Sequence, residues 1–355
     1  MPANSNLGAL PRAELGLAIV EGEGSVQGLI GEKILGPLPI SFRNAHLVKA
    51  TLAGSIGLRT IAGSKYVRAM GAKYERLSAT FGDANLTVTP RGVEISVPRE
   101  MVLDYKKKLD VLEFFCGRFG TEIGGLTIEA LIANTVFSAS AYVLGSATNS
   151  VIAYTAANIG TMTPILDIIA SARRVKANGE RPDTVVMSGP VWERVSTCTS
   201  TLQFVRGIFG PIADVTEDLF KKALAAYGIK NLLVGDNYYN SAADSATPIL
   251  TQIWSNTYIL VCKAGMSSTG TQGGTVVPSL TGIGANVFWE GFDEGGVGTL
   301  APVKENYDFA GAGGFYVETY PSWDTKSEII RIEMSHNPTI TNNRGGDIIA
   351  TQYTP

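Results

Sequence analysis

A chain of 355 residues with 45% hydrophobic content has material for a sizeable core and for one or two domains. Its charged fraction is only 17%, against roughly 25% in typical soluble proteins, and a formal net charge of −3 excludes a protein that lives by tight nucleic-acid binding. Cys116, Cys198 and Cys262 stand alone, which excludes a disulfide framework and a CxxC site, and no run of about 20 apolar residues is present to span a bilayer.

Residues 1–50 read as an extended arm, punctuated by Pro2, Pro11, Pro37 and Pro39. Only 26–34 suits a short helix, and no heptad pattern supports a coiled coil. The apolar stretch 15–20 is short and flanked by Glu14 and Glu21, which is not a signal-peptide pattern. From 51 to 100 the pattern turns to strands. Leu86-Thr-Val-Thr and Val93-Glu-Ile-Ser-Val alternate apolar and polar, and Thr89-Pro90-Arg91-Gly92 between them predicts the turn of a hairpin. Ahead of them, 65–76 is charged and poor in apolar positions, as a protruding segment would be.

A long amphipathic helix is expected over about 101–139, with Leu109, Leu112, Phe119, Ile123, Leu126, Ala130, Ala133 and Phe137 at three- and four-residue steps. Gly124-Gly125 leaves open whether it is continuous or broken there. From 157 to 265 helix and strand alternate: a helix opening at Thr163-Pro164, the strand Thr184-Val-Val-Met, a helix from Ser188-Gly-Pro190, another over 216–227, and strands at 231–234 and 258–263. Beyond 265 the chain is Gly/Thr-rich, with a strand near 286–289. At the end, 315–320 and 328–334 alternate cleanly and form a hairpin across 321–326. The long helix and this distant hairpin each need an apolar partner. Pairing them makes a discontinuous unit with the α/β segment inserted.

That order of elements resembles the major capsid proteins of tailed bacteriophages, an α+β architecture of the HK97-like fold. The residues that carry the resemblance are Tyr74-Glu-Arg to Pro98 as the extended loop and Asp104 to Phe137 as the spine helix. Arg181-Pro-Asp-Thr-Val-Val-Met-Ser and Lys230-Asn-Leu-Leu-Val-Gly-Asp stand for the axial domain, and Tyr316 to Ile349 for the last strands of the peripheral domain. The resemblance implies an N-terminal arm (1–50), an extended loop with a β-hairpin (51–100), a peripheral domain with the spine helix (101–156 and 285–355) and an axial domain (157–284). It implies a non-enzymatic structural protein without a cofactor. Such a protein is assembled in the host cytoplasm as pentamers and hexamers into an icosahedral virion shell around double-stranded DNA. Its partners would be further copies of itself, packaged DNA through weak non-specific contact, and a portal, with decoration proteins left open. Since about 50 residues precede the loop, a separate scaffolding protein, or none, is expected rather than a fused one.

The resemblance also assigns contacts. Lys65, Arg68, Lys73, Glu75 and Arg76 of the extended loop would meet a neighbouring subunit, and Lys106, Lys107 and Lys108 would face DNA. Some members of the family cross-link a loop lysine to an asparagine, for which Lys65 or Lys73 and Asn337, Asn342 or Asn343 are the candidates; ordinary polar contacts are the expectation. Other classes find little support. Gly22-Glu-Gly24-Ser-Val-Gln-Gly28 follows a strand-like run, but Pro37 and Pro39 interrupt the helix that a dinucleotide fingerprint needs and no acid follows. There is no Gly-x-Ser-x-Gly elbow, His46 and His336 lack metal-ligand spacing, and Glu290, Asp293 and Glu294 read as a solvated loop. The rival of the same architecture is an encapsulin-type nanocompartment enclosing a cargo enzyme.

Overall fold

The computed structural model describes residues 28–40, 43–50, 70, 81–105, 124–242, 247, 249–264, 267–272, 275–280, 282–289 and 315–354. The N-terminal part contributes one helical turn, α1 (Gly31–Ile34), then β1 (Pro37–Ile40), β2 (Asn44–Ala50), β3 (Phe81–Thr87) and β4 (Thr89–Pro98). β4 runs straight into α2 (Arg99–Tyr105), and the next described helix is α3 (Leu126–Val136), entered through a π-helical turn at Gly124 and Gly125. Whether the long helix is continuous or broken ahead of these glycines falls on 106–123, which lies outside the described residues. α3 stops at Val136, three residues short of the expected end, where Phe137 N–H closes on Ala133 O.

The α/β segment comprises β5 (Thr148–Asn149), α4 (Pro164–Ala177), β6 (Thr184–Ser188), α5 (Gly189–Thr197), α6 (Thr199–Phe209), α7 (Glu217–Leu224), β7 (Asn231–Gly235), β8 (Tyr238–Asn240), β9 (Leu250–Gln252) and β10 (Tyr258–Cys262). Its helices begin and end where local chemistry dictates. In α7 the Thr216 hydroxyl accepts from Leu219 N–H. Glu217 and Asp218 sit at the positive end of the dipole, Lys221 and Lys222 at the negative end. Pro164 starts α4 with its φ already set, although the Thr163 hydroxyl makes no capping bond.

After β11 (Ser267–Gln272) and β12 (Thr275–Leu280), which pair with each other, come β13 (Gly284–Trp289), β14 (Phe315–Ser322), β15 (Ser327–Ile340) and β16 (Gly346–Ala350). β14 and β15 are the expected hairpin, closing at Ser322↔Ser327 with Lys326 at φ 48° in the turn. β15 is the axis of the first sheet. β4 lies along one edge of it over residues 327–336, while the other edge takes β14 and then β13, which carries β1 in turn. α3 packs on this long strand.

Thr89-Pro90-Arg91-Gly92 is not a turn. These residues are extended and pair with His336, Ser335, Met334 and Glu333. A turn signal is a local preference, and ten paired positions along β15 override it; the edge position of β4 tolerates the missing N–H of Pro90. Arg91 Nη1 adds a bond to His336 O (2.9 Å). β3 pairs instead with β2, from Asn44↔Thr87 to Ala50↔Phe81, and this ribbon brackets residues 51–80.

The second sheet has the order β5-β16-β10-β6-β7. β16 therefore sits in the sheet of the α/β segment, paired with β10, and not beside the hairpin. Period-2 alternation sends Val185, Met187, Ile259, Val261 and Ile349 to a core beneath α4–α7. Val186, Leu260, Cys262 and Ile348 go to a core shared with α3 and α1. Both faces are covered, and every residue of β6 is buried. Residues 30–40, expected in an arm, are built into the structure: Ile30, Ile34 and Leu35 join the second core, and Leu38 and Ile40 join a third with Leu86, Val88, Ala285 and Val287.

Candidate functional site

Lys65, Arg68, Lys73, Glu75 and Arg76, expected to meet a neighbour, and Lys106, Lys107 and Lys108, expected to meet DNA, lie outside the described residues, as do Glu290, Asp293 and Glu294. The structure describes the frame on either side of them, namely the β2–β3 ribbon and α2. Of the cross-link candidates, Asn337 Nδ2 donates to Thr87 O (2.5 Å) and Asn342 Nδ2 donates to Glu180 Oε1 (3.0 Å), so both amides are engaged within the subunit. Asn343 is exposed. His336 is fully buried in β15, with Nδ1 3.2 Å from Asn286 Nδ2 and its ring against Phe288, the setting of a core residue. His46 lies in β2 opposite Asn85. Among the described residues, no group of three or more His, Cys, Asp or Glu could hold a metal ion, and no helix is long and apolar enough to cross a membrane.

The ionisable groups that the fold buries are joints between elements. Glu129 of α3 is 2% exposed. Its carboxylate accepts from Ile30 N–H (2.9 Å), Gly31 N–H (2.8 Å) and the Trp254 indole N–H (2.8 Å), tying three distant stretches of chain together. Burial raises its pKa, and the three donors and Lys33 oppose the rise. A Cβ on Gly31 would stand 2.6 Å from Glu129 Oε2, so this approach needs glycine. Asp347 of β16 is held by the Ser171 hydroxyl (2.6 Å) and by Arg174 Nε and Nη2 (2.9 and 2.7 Å) of α4. Asp167 accepts from Tyr154 OH and Val151 N–H, and burial raises both the Asp167 and the Tyr154 pKa. Each carboxylate is occupied by donors of its own subunit, an arrangement suited to holding elements in place.

What the described surface does offer is apolar. Trp323 in the β14–β15 turn is 76% exposed, with the Arg99 guanidinium 5.5 Å from its ring centre, and Met101 and Leu103 of α2 are exposed as well. On the outer face of the same sheet Arg331 binds Glu94 through Nε and Nη2 (2.7 and 2.6 Å). The Tyr320 hydroxyl donates to the same carboxylate, and the two donors lower its pKa. On the α/β segment, Ile208 and Phe209 at the end of α6 and Tyr238, Tyr239, Ile249 and Leu250 of the β8–β9 ribbon are exposed. Sequence reading passed over these positions. A tryptophan in an otherwise polar turn, and Tyr-Tyr and Ile-Leu pairs in a stretch without cations, were the available signals.

No family model matches the chain, and no curated protein matches it in sequence. Solved structures do resemble it. A phage-related protein from Bordetella bronchiseptica RB50 superposes with a TM-score of 0.59 at 17% identity, over 96% of this chain and 97% of that one. A structure from Microbacterium phage Oxtober96 gives 0.51 at 9% identity, over 92% and 91%. The capsid structure of cyanophage P-SCSP1u gives 0.51 at 10% identity, over 91% and 87%.

Proposed function

We propose that this chain, which has the HK97-like capsid fold, is the major capsid protein of a tailed phage. It self-assembles as pentamers and hexamers into the icosahedral shell that encloses a double-stranded DNA genome. The observation that carries the reading is coverage: each superposition takes in at least 91% of this chain, so a shell-forming architecture accounts for the whole molecule and not for one segment of it. The exposed apolar positions on the β14–β15 turn, on α2 and α6 and on the β8–β9 ribbon, in a chain of low charge, agree with a subunit whose surface is completed by neighbours.

In this reading the β2–β3 ribbon is the root of the extended loop. Lys65, Arg68, Lys73, Glu75 and Arg76 contact the adjacent subunit from it. The first sheet with α3 is the peripheral domain. The second sheet with α4–α7 is the axial domain, completed by β5 and β16. Lys106, Lys107 and Lys108 meet packaged DNA by sequence-blind, salt-dependent attraction. A portal and a separate scaffolding protein complete the particle, which forms in the host cytoplasm. Negative-stain microscopy with light scattering on the full chain, alone and with a scaffolding partner, tests the reading. Closed shells or capsomer rings are the expected result. Shells filled with a cargo protein would move the reading to a nanocompartment, and a chain that stays monomeric throughout would overturn it.

A further inference from the structure

Between β7 and β10 the chain leaves the second sheet as a small ribbon, β8 on β9, in the register Tyr238↔Gln252, Tyr239↔Thr251 and Asn240↔Leu250. Its root is fixed. Ile253 N–H donates to Asn237 O (2.9 Å), Gln252 Nε2 donates to Gly235 O (3.4 Å), and Trp254 just beyond is fully buried against Gly235, where a Cβ would stand 2.2 Å from the indole. Its outer end is held as well. Asn240 Oδ1 accepts from Ala242 and Ile249 N–H, and the Ser241 and Thr251 hydroxyls bond at 2.7 Å. The ribbon thus has a defined shape, although three residues a side are far too few to be stable as a free hairpin in water.

That shape presents apolar surface to solvent. All of β8 is exposed, Ile249 is 60% exposed and Leu250 71%. The charge of the stretch says what can cover it. Between Lys230 and Lys263 the sequence has no Lys or Arg, and its only charges are Asp236 and Asp244. The ribbon itself therefore offers nucleic acid and anionic membrane surfaces no cation. Tyrosine and aliphatic side chains set among amides and hydroxyls are the composition of a protein–protein contact. A shell repeats one such contact at every subunit.

We propose that the β8–β9 ribbon is a docking surface for a second copy of this chain, anchored by Tyr239 and Leu250. The proposal rests on the assembly reading above. The full chain carrying Tyr239→Asp and Leu250→Asp is compared with wild type and with Tyr239→Phe under conditions where wild type assembles. The double variant is expected to keep the urea midpoint of the dissociated subunit and to lose at least about 10-fold in assembled fraction, while Tyr239→Phe assembles normally. Shells at wild-type yield from the folded double variant would overturn the contact. A second variant, Leu250→Cys, removes dependence on the aspartates. Its thiol is expected to react with maleimide in dissociated subunits and to be protected in shells, after subtraction of the wild-type background, to which buried Cys198 and Cys262 add little. Equal labelling in both states, with shells formed, overturns the contact and leaves the assembly reading standing. Failure of wild type to assemble overturns both.

Discussion

At the scale of single residues, the carboxylate pair on α1 and α3 has the largest predictable effects. Glu129 serves three donors, and a glutamine there must turn its NH2 toward at least one of them. Glu129→Gln is therefore expected to destabilise the subunit by about 1–3 kcal/mol, read as a lower urea midpoint at unchanged slope. Glu32 is its neighbour. Burial, and the charge of Glu129, push its pKa up to about 7 from an ordinary 4.5. A carboxyl that holds its proton more tightly when folded gives most stability below about pH 4.5, and that contribution is lost as pH rises to about 7. Glu32→Gln should be stabilising at pH 8 and close to neutral at pH 4.5, by urea midpoints of both chains at both values. A wild-type advantage at pH 8 would contradict this. Neither carboxylate was legible in the sequence, because nothing local marks a residue whose partners lie about a hundred positions away.

At the scale of elements, the readable parts were those with a complete local signal. The 315–322/327–340 hairpin shows alternation on both arms, and α7 carries its cap, its charge asymmetry and the closing Gly228 within a dozen residues. The misreadings share one cause. Thr89-Pro90-Arg91-Gly92 has a local turn signal and a non-local partner, and the partner decides. Gly346-Asp-Ile-Ile-Ala is short and follows a glycine, so its place beside β10 could not be inferred from it alone. What locks β16 against α4 is the Asp347 carboxylate, 4% exposed, with Arg174 and Ser171. Removing the cation alone leaves a buried charge. Arg174→Met is expected to cost about 3–5 kcal/mol, and Arg174→Met with Asp347→Leu to recover most of it. A double-mutant cycle in urea reads the coupling, and additive losses would show that the pair does not act as a unit.

At the scale of the molecule, the expectation of an HK97-like fold rested on the order of elements, and order survives where sequence identity has fallen to 9–17%. The residues proposed for contacts, Lys65, Arg68, Lys73, Glu75, Arg76, Lys106, Lys107 and Lys108, lie outside the described residues, and one sequence does not display the surfaces they would meet. The clearest separation of folding from assembly lies in residues 51–80. They are bracketed by seven β2–β3 residue pairs that already close as a ribbon, and they carry the loop charges assigned to a neighbour. Replacing this segment by a four-residue turn shortens a loop of about 30 residues. The loop-closure cost falls by about 2 kcal/mol, so the truncated subunit should be as stable as wild type or slightly more so. If the segment reaches over an adjacent subunit, the same truncation abolishes closed shells in light scattering and microscopy. A truncated chain that folds and still closes would mean that the loop charges are not needed between subunits, and that the shell is held by other surfaces, such as the exposed apolar positions of the β14–β15 turn and the β8–β9 ribbon.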